Sequence, residues 1–457
     1  MAGWGMLRSN PDFRRYFTAD IVSTLGSQLS VIAFPLLVLS LGSSVAQAGL
    51  VGTCSLLTRL VFRLPGGHLA DRCDRRMLMV ATDLIRLVAV GSIPLAAGLG
   101  RLGFGQLLVV AIIEGTATAA FSPAAGVAVR DVVSRDEMAD ALGKIQATSA
   151  TALLVGPALG GWLFSVDRIL PFTVDALSYA LSAVLLLRLR VRPERAPVAE
   201  RDDRLTAGLR WLRGQPALLW VLLFVGTLNF TGAALEVGVV LVLRQHGTSS
   251  SSIGIVMACL GVGSIAGALV ASRIIKVLAA GRLLLVIGLI WTAGFVVLAS
   301  QPPLPVTGLV LVLLLLVTPA AGIQLGEAIM VNTPRDLLGR VNTAIGTVTA
   351  GLASLGPLLV GLTVAGFGGR VTWLVLAGVD AGVTLIAGLP LLRMSSFVRA
   401  EPASEPTAEQ LSEPAIERAE PAIERAEPAV ELAEVIAHVA DPKAAQPDRV
   451  DTGPVKP

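Results

Sequence analysis

The 457 residues are 54% hydrophobic and only 15% charged, with a mean hydropathy of +0.74, a balance that excludes an ordinary soluble domain and with it a secreted or cytosolic enzyme. The net charge of +3 conceals two opposed parts, since residues 401–457 hold 13 acids and 5 bases against 20 acids and 31 bases elsewhere. That basic surplus lies between apolar segments rather than on one arm, which argues for membrane topology and against a nucleic-acid partner.

A bilayer core about 30 Å thick takes roughly 20 apolar residues of helix. Twelve such stretches are predicted, at 16–40, 46–66, 77–99, 103–124, 139–165, 171–189, 217–243, 253–275, 282–300, 304–330, 339–365 and 370–392. Lipid cannot satisfy an open strand edge, and the runs lack the alternation of a barrel, so an all-α membrane protein is expected. The first run follows a basic start and precedes Ala46-Gln47-Ala48, but it exceeds a signal h-region and further spans follow at once, so no cleavage is expected.

Cytoplasmic connections retain Lys and Arg. Alternate connections, beginning with Arg8, Arg14 and Arg15 and ending with Arg393 and Arg399, hold 23 such residues, whereas the opposite ones offer only Arg101, Arg168, Arg244 and Arg370. Both termini are therefore expected in the cytoplasm.

A polar, arginine-rich connector at 190–216 divides the apolar body into a six-helix bundle at 1–189 and another at 217–395. Ser134-Arg135-Asp136 answers to Pro334-Arg335-Asp336, and Gly156-Pro157 with Gly161 answers to Gly356-Pro357 with Gly361, each offset by 200 residues. A constant offset across separate elements points to internal duplication. Residues 396–457 form an acidic tail with the heptads EPAIERA, EPAIERA and EPAVELA, whose prolines oppose a coiled coil, so disorder is expected. Cys54, Cys73 and Cys259 lie far apart without a CxxC pair or histidine cluster, so no disulfide, metal or other cofactor is signalled. No P-loop or serine elbow suggests an enzyme.

After span two the chain reads Gly67-His68-Leu69-Ala70-Asp71-Arg72-Cys73-Asp74-Arg75-Arg76. With twelve spans in two matched halves, this resembles the GxLADRxxRR signature of the major facilitator superfamily, with Asp74 standing where glycine is common. Asp175-Ala176-Leu177-Ser178 and the stretch from Pro334 to Val341 are most similar to its enterobactin-exporter and macrolide-efflux branch. Gly67 would permit close helix approach, and Asp71 would sit at a helix N-terminus. The resemblance implies that this helix is span eleven and that Gly67, Asp71, Arg72, Arg75 and Arg76 form a cytoplasmic gate; the plainer alternative is a solvated charged loop. Gly156-Pro157-Ala158-Leu159-Gly160-Gly161 resembles the GPxxGG element of antiporters, with Pro157 kinking the helix and Gly156, Gly160 and Gly161 allowing tight packing.

Charges at bilayer depth are costly unless paired or wet, which makes each a functional candidate. Asp20, Glu114 and Glu236 are candidates for proton coupling, with structural ion pairing as the alternative, while Asp380 reads as an isolated packing group. Relatives carry Gly-Asp in span one where this chain has Gly26-Ser27, so their proton site cannot simply be copied onto it. Asp83 and Arg86 share a helix face near the cytoplasmic end and neutralise each other. Arg59 lies too deep to snorkel, and is expected either to pair with Asp20 or Glu327 or to attract an acidic substrate group. Gln28, Asn229, Phe230, Thr231 and Gln324 are expected in an otherwise apolar cavity.

Taken together, the expectation is a monomeric transporter in a bacterial inner membrane, in contact with lipids and protons, that exports a hydrophobic or amphipathic drug or natural product by proton antiport and alternating access. An importer with the same fold, or a membrane scaffold acting through the acidic tail, are the alternatives.

Overall fold

The computed structural model describes residues 5–134, 136–190, 204–278, 280–334 and 337–393, and every regular element among them is an α-helix. The acidic tail, residues 191–203 of the connector, and Arg135, Arg335 and Asp336 of the paired polar stretches lie outside the described residues.

A short α1 (Gly5–Ser9) leads into α2 (Pro11–Ser40). The Asn10 carboxamide oxygen accepts from the amides of Asp12 and Phe13 at 3.1 and 2.9 Å, and Pro11 occupies the first turn, where a missing N–H costs nothing. These signals start α2 earlier than residue 16, where apolar character alone would place it. Ser44 and Gln47 form a capping box that opens α3 (Val45–Val61). The helix then bends by 46° into α4 (Arg63–Arg72). Pro65 accounts for the bend, because it has no N–H for the Val61 carbonyl four residues back.

The signature stretch is thus not a loop, as the sequence suggests. Gly67 to Arg72 are helical, and the break falls only at Cys73 and Asp74. Asp74 accepts from the Met77 amide at 3.0 Å and caps α5 (Arg75–Gly98), a task glycine cannot perform. The close approach also belongs to a different glycine. A methyl group on Gly66 would lie 2.4 Å from the Ala119 carbonyl of α6 (Phe104–Val132), whereas Gly67 faces open space.

The chain continues through α7 (Met138–Val166), α8 (Leu170–Leu187), α9 (Arg204–Arg213), α10 (Pro216–Gln245), α11 (Ser250–Val277), α12 (Ala280–Ala299), α13 (Leu304–Asn332) and α14 (Leu338–Arg393). Among the described residues ten helices are long and apolar enough to cross a bilayer, or eleven with α3 and α4 as one bent span. α14 runs for 56 residues, but Gly368 interrupts it with φ 79° and ψ 171°, a conformation glycine adopts without a steric penalty. Within the connector, α9 is a docked helix: Gly208 lies against the Arg340 carbonyl of α14, and Leu212 is buried.

Several helix ends converge on one arginine-rich end of the bundle. Asn10 donates to the Val132 carbonyl at 2.6 Å, Arg75 pairs with Asp131 at 2.8 Å, Arg15 donates to the Arg188 carbonyl at 3.1 Å, and Arg76 donates to the Leu187 carbonyl. α2 and α5 to α8 pack among themselves, with α3 on α6; α10 to α14 likewise pack together, and the two groups meet along α7 with α11 and α3 with α14.

Gly66→Ala should destabilise the purified protein by about 1–3 kcal/mol through overpacking against α6, while Gly67→Ala should be neutral or slightly stabilising in thermal unfolding, since alanine is the better helix former. The reverse order would contradict this packing.

Candidate functional site

Both seams between the helix groups are built from glycine set against backbone. A methyl on Gly254 of α11 would fall 2.5 Å from the Pro157 carbonyl of α7, and one on Gly49 of α3 would fall 2.4 Å from the Pro357 carbonyl of α14. Gly161 lies against the Gly254 Cα, and Gly361 against the Gly49 Cα. Gly156 and Gly160 turn to α2, where Gln28 and the Leu29 carbonyl meet them. The GPxxGG element therefore serves two neighbours at once: Gly156 and Gly160 seat α7 on α2, while Pro157 and Gly161 seat it on α11.

These seams bound a cavity of about 640 Å³, within the range of small-molecule sites. Its wall runs from Pro35, Ala48 and Pro357 beside the α3–α14 seam towards the arginine-rich end at Tyr16, Val129 and Leu142. α2 contributes a line of small polar groups, Ser23, Thr24, Ser27, Gln28 and Ser30, joined by Ser55, Thr118 and Ser122. From α10, α11 and α14 come Ala233, Val237, Met257, Leu260 and Pro357, with Glu236 as the one charge that this side adds among the described residues.

Of the cavity residues expected from sequence, Gln28 lies in the wall. Asn229 instead donates to its own helix at the Val225 carbonyl, 2.8 Å away, and Thr231 bonds to the Thr227 carbonyl and to Asp380. Gln324 is buried with its carbonyl oxygen unpartnered, and Phe230 packs in the core around α10. Side-chain rotation about a helix, invisible in composition, decides these cases. The hydroxyls of α2 escaped notice because serine and threonine inside an apolar helix usually bond to the preceding turn.

Asp20, Glu114 and Glu236 all line the cavity, as do Arg59 and Arg86. Arg59 faces neither Asp20 nor Glu327. Its Nη2 lies 3.9 Å from Glu114 Oε1, because Gly115, where a methyl would fall 2.4 Å from the Ser55 carbonyl, lets α6 pack closely on α3 and brings those two helix faces together. Ser55 and Thr118 hydroxyls donate to the Glu114 carboxylate at 3.4 and 3.5 Å. Asp20 and Glu236 have no ion-pair partner within 4.0 Å among the described residues, and Asp20 Oδ2 is buried without a hydrogen bond.

Asp83 and Arg86 do pair, at 2.5 Å, but in the core rather than near a helix end: both are buried, and the guanidinium lies 4.4 Å from the Phe121 ring centre and 4.6 Å from that of Tyr179. Sequence reading passed over Asp175 as an ionisable group. It is 1% exposed and accepts from Ser30. Asp380 is not isolated either, being buried and receiving the Thr231 hydroxyl at 3.3 Å. Lys144 pairs with Asp140 on the first turn of α7.

In the signature motif, Arg75 and Arg76 tie α5 to the ends of α6 and α8, while Asp71 and Arg72 are exposed on α4, which packs against α6, α3 and α5.

The two arginines of the cavity should respond differently to neutralisation. Arg86→Gln leaves Asp83 buried without a counter-charge and should cost about 3–5 kcal/mol of stability. Arg59→Gln removes a long, half-exposed contact and should cost less than about 1 kcal/mol. Thermal unfolding of the two variants checks the order, and a larger loss at Arg59 would contradict it.

A family model described as transmembrane secretion effector matches residues 1–424. The chain is 28% identical over 401 residues to the multidrug efflux pump Tap of Mycobacterium tuberculosis, covering 82% of this chain and 92% of that protein. It is 25% identical over 423 residues to the enterobactin exporter EntS of Citrobacter koseri, covering 86% and 94%. Among solved structures, the nucleoside transporter NupG superposes with a TM-score of 0.62 at 16% identity over 83% of this chain and 99% of that one. A bacterial homolog of the human lysosomal transporter Spinster, inward-facing and occupied, superposes with a TM-score of 0.64 at 16% identity over 86% and 96%. With an all-helical membrane fold, two glycine seams around a central cavity and a family match over most of its length, the chain belongs to the transmembrane secretion effector family of the major facilitator superfamily, whose members are transporters and not enzymes.

Proposed function

We propose that this transporter exports an amphipathic organic molecule, a drug or natural product, across a bacterial inner membrane in exchange for protons. The observation that carries the reading is the cavity, in which carboxylates outnumber cations: Asp20, Glu114 and Glu236 face Arg59 and an Arg86 already held by Asp83. A wall of hydroxyls on one side and apolar side chains on the other suits a bulky solute with a polar or cationic end. The relatives described as a multidrug efflux pump and an enterobactin exporter support the outward direction.

On this reading the chain crosses the membrane twelve times, with α3 and α4 as one span and α14 as two spans meeting at Gly368. Residues 1–189 and 217–395 act as two duplicated six-helix halves that rock about the cavity. The recurrence of seams supports the duplication, since Gly254 stands to Pro157 as Gly49 stands to Pro357. The arginine-rich end faces the cytoplasm and includes the gate formed by Gly67, Asp71, Arg72, Arg75 and Arg76, with Asp71 engaging the start of α14 when the opposite side opens. The glycine seams close the outer side and must part to release substrate. Asp20, Glu114 and Glu236 are the cavity's proton acceptors, and a solute cation competes with the proton for them. The acidic tail is not needed for flux.

Ethidium serves as a lipophilic cationic probe. Inverted vesicles containing the protein should accumulate it when the lumen is acidified, and an uncoupler should abolish that accumulation. Asp20→Asn, Glu114→Gln or Glu236→Gln, at whichever position couples most strongly, should lower the pH-driven component by about 5–150-fold, the usual span of a coupling of about 1–3 kcal/mol. Accumulation indifferent to the uncoupler overturns proton drive, and movement only into right-side-out vesicles overturns export.

Orientation has an independent check in the native thiols. Cys73 is exposed at the turn between α4 and α5, whereas Cys54 and Cys259 are half-buried in spans. A membrane-impermeant maleimide should label Cys73 in inverted vesicles and spare it in intact cells, and the opposite pattern reverses the topology.

A further inference from the structure

Behind the cavity wall lies a carboxyl for which the reading above has no use. Asp175 is 1% exposed, with one oxygen accepting from the Ser30 hydroxyl and the other, Oδ1, sealed off without any hydrogen-bond partner. Space for it is reserved: a methyl on Gly26 would come within 2.7 Å of Oδ1 and 2.1 Å of the Ser178 hydroxyl.

The groups around Asp175 do not complete the solvation of an anion. On its own helix, the Tyr179 hydroxyl lies in hydrogen-bonding reach of Asp175 but is shared with Ser27, 2.9 Å away, and its single proton serves one of the two at a time. From α5, the charge facing it is Arg86, held by Asp83 at 2.5 Å. From α6 it is Glu114, which carries the same sign. α7 contains Asp140 and Lys144 as its charged residues, and they pair with each other. The Ser30 hydroxyl, a tyrosine hydroxyl shared with Ser27 and a committed arginine do not hold a buried carboxylate, which requires several donors or a counter-ion of its own.

We propose that Asp175 is a proton-binding site of this transporter, loaded from the cavity through the Ser30 hydroxyl. Ser30 both lines the cavity and donates to Asp175. A proton arriving at Ser30 Oγ is matched by one passing from that hydroxyl to the carboxyl, so the serine is regenerated and no bond other than O–H changes. Asp380 supplies the contrast. It is equally buried and bonded to the Thr231 hydroxyl, but Thr231 is not part of the cavity wall, so the proton of Asp380 has no such route. The proposal rests on the antiport reading for its role in transport and stands apart from it for the binding itself.

Infrared spectroscopy of the full-length protein in lipid tests it directly. The carbonyl stretch of a protonated carboxyl should titrate with pH and shift promptly in D₂O. In wild-type minus variant difference spectra, Asp175→Asn should remove one component of that absorption and leave the bands of Asp20, Glu114 and Glu236, Ser30→Ala should retain the Asp175 component and slow its deuterium shift, and Asp380→Asn should leave it in place. A titrating absorption undiminished in Asp175→Asn overturns the proposal, as does an unslowed shift of that component in Ser30→Ala. Ethidium accumulation in inverted vesicles separates the two readings. If the Asp175 absorption titrates but wild-type accumulation ignores pH, antiport fails and the binding site stands; if accumulation follows pH and Asp175→Asn leaves the absorption intact, the binding site fails and antiport stands.

Discussion

Lipid offers a chain neither hydrogen bonds nor a hydrophobic reason for its helices to adhere, and the architecture of this transporter follows from that double lack. Backbone polar groups are satisfied within helices, and helices then cohere where side chains are small enough for backbones to touch. At both seams a glycine of one helix group meets a proline-bearing turn of the other, Gly254 at Pro157 and Gly49 at Pro357. Contacts of this kind are individually weak and have no interlocking side chains. A surface built from them packs tightly yet needs no core to be dismantled for it to part, a property that suits the rocking of two halves proposed above.

The polar groups are distributed unevenly. The first helix group presents hydroxyls, two carboxylates and two arginines to the cavity, whereas the second presents mainly apolar side chains and Glu236. Ionisable groups are therefore concentrated on one wall of the cavity, and the other is mainly apolar. Behind the polar wall stands a second layer, Asp83 with Arg86 and Asp175 with Ser30, connected to the first by side chains that belong to both. Ser27 extends this layer by joining the cavity to Tyr179.

Much of this was legible from residues alone, for identifiable reasons. Long apolar runs require helices in lipid whatever their neighbours, so most spans fell close to their predicted bounds, and the Asn10 cap explains the early start of α2; α6, however, continues to Val132, past the expected end at 124, and the last two expected spans form the single helix α14, interrupted at Gly368. The GPxxGG element announced close packing because glycine has few other uses inside a helix. Misreadings arose where the outcome depended on which helix stands alongside. Gly67 carries the motif while its neighbour Gly66 carries the contact, since only the latter turns towards α6. Arg59 found Glu114 because Gly115 draws α3 and α6 together, a pairing that spacing along the chain does not contain.

Composition and periodicity by themselves determined that this chain is a helical membrane protein with an arginine-marked polarity, and its motifs determined its superfamily, because those properties depend on residue type and local spacing. Only the tertiary structure decided which of several intramembrane acids face the cavity, which are paired and which, like Asp175, are sealed behind the wall with hydroxyls and no counter-ion of their own. The physical reason is that the cost of a buried charge is set by the donors and counter-charges within a few ångströms, and in a helical bundle those are supplied by other helices, often more than a hundred residues away in the chain.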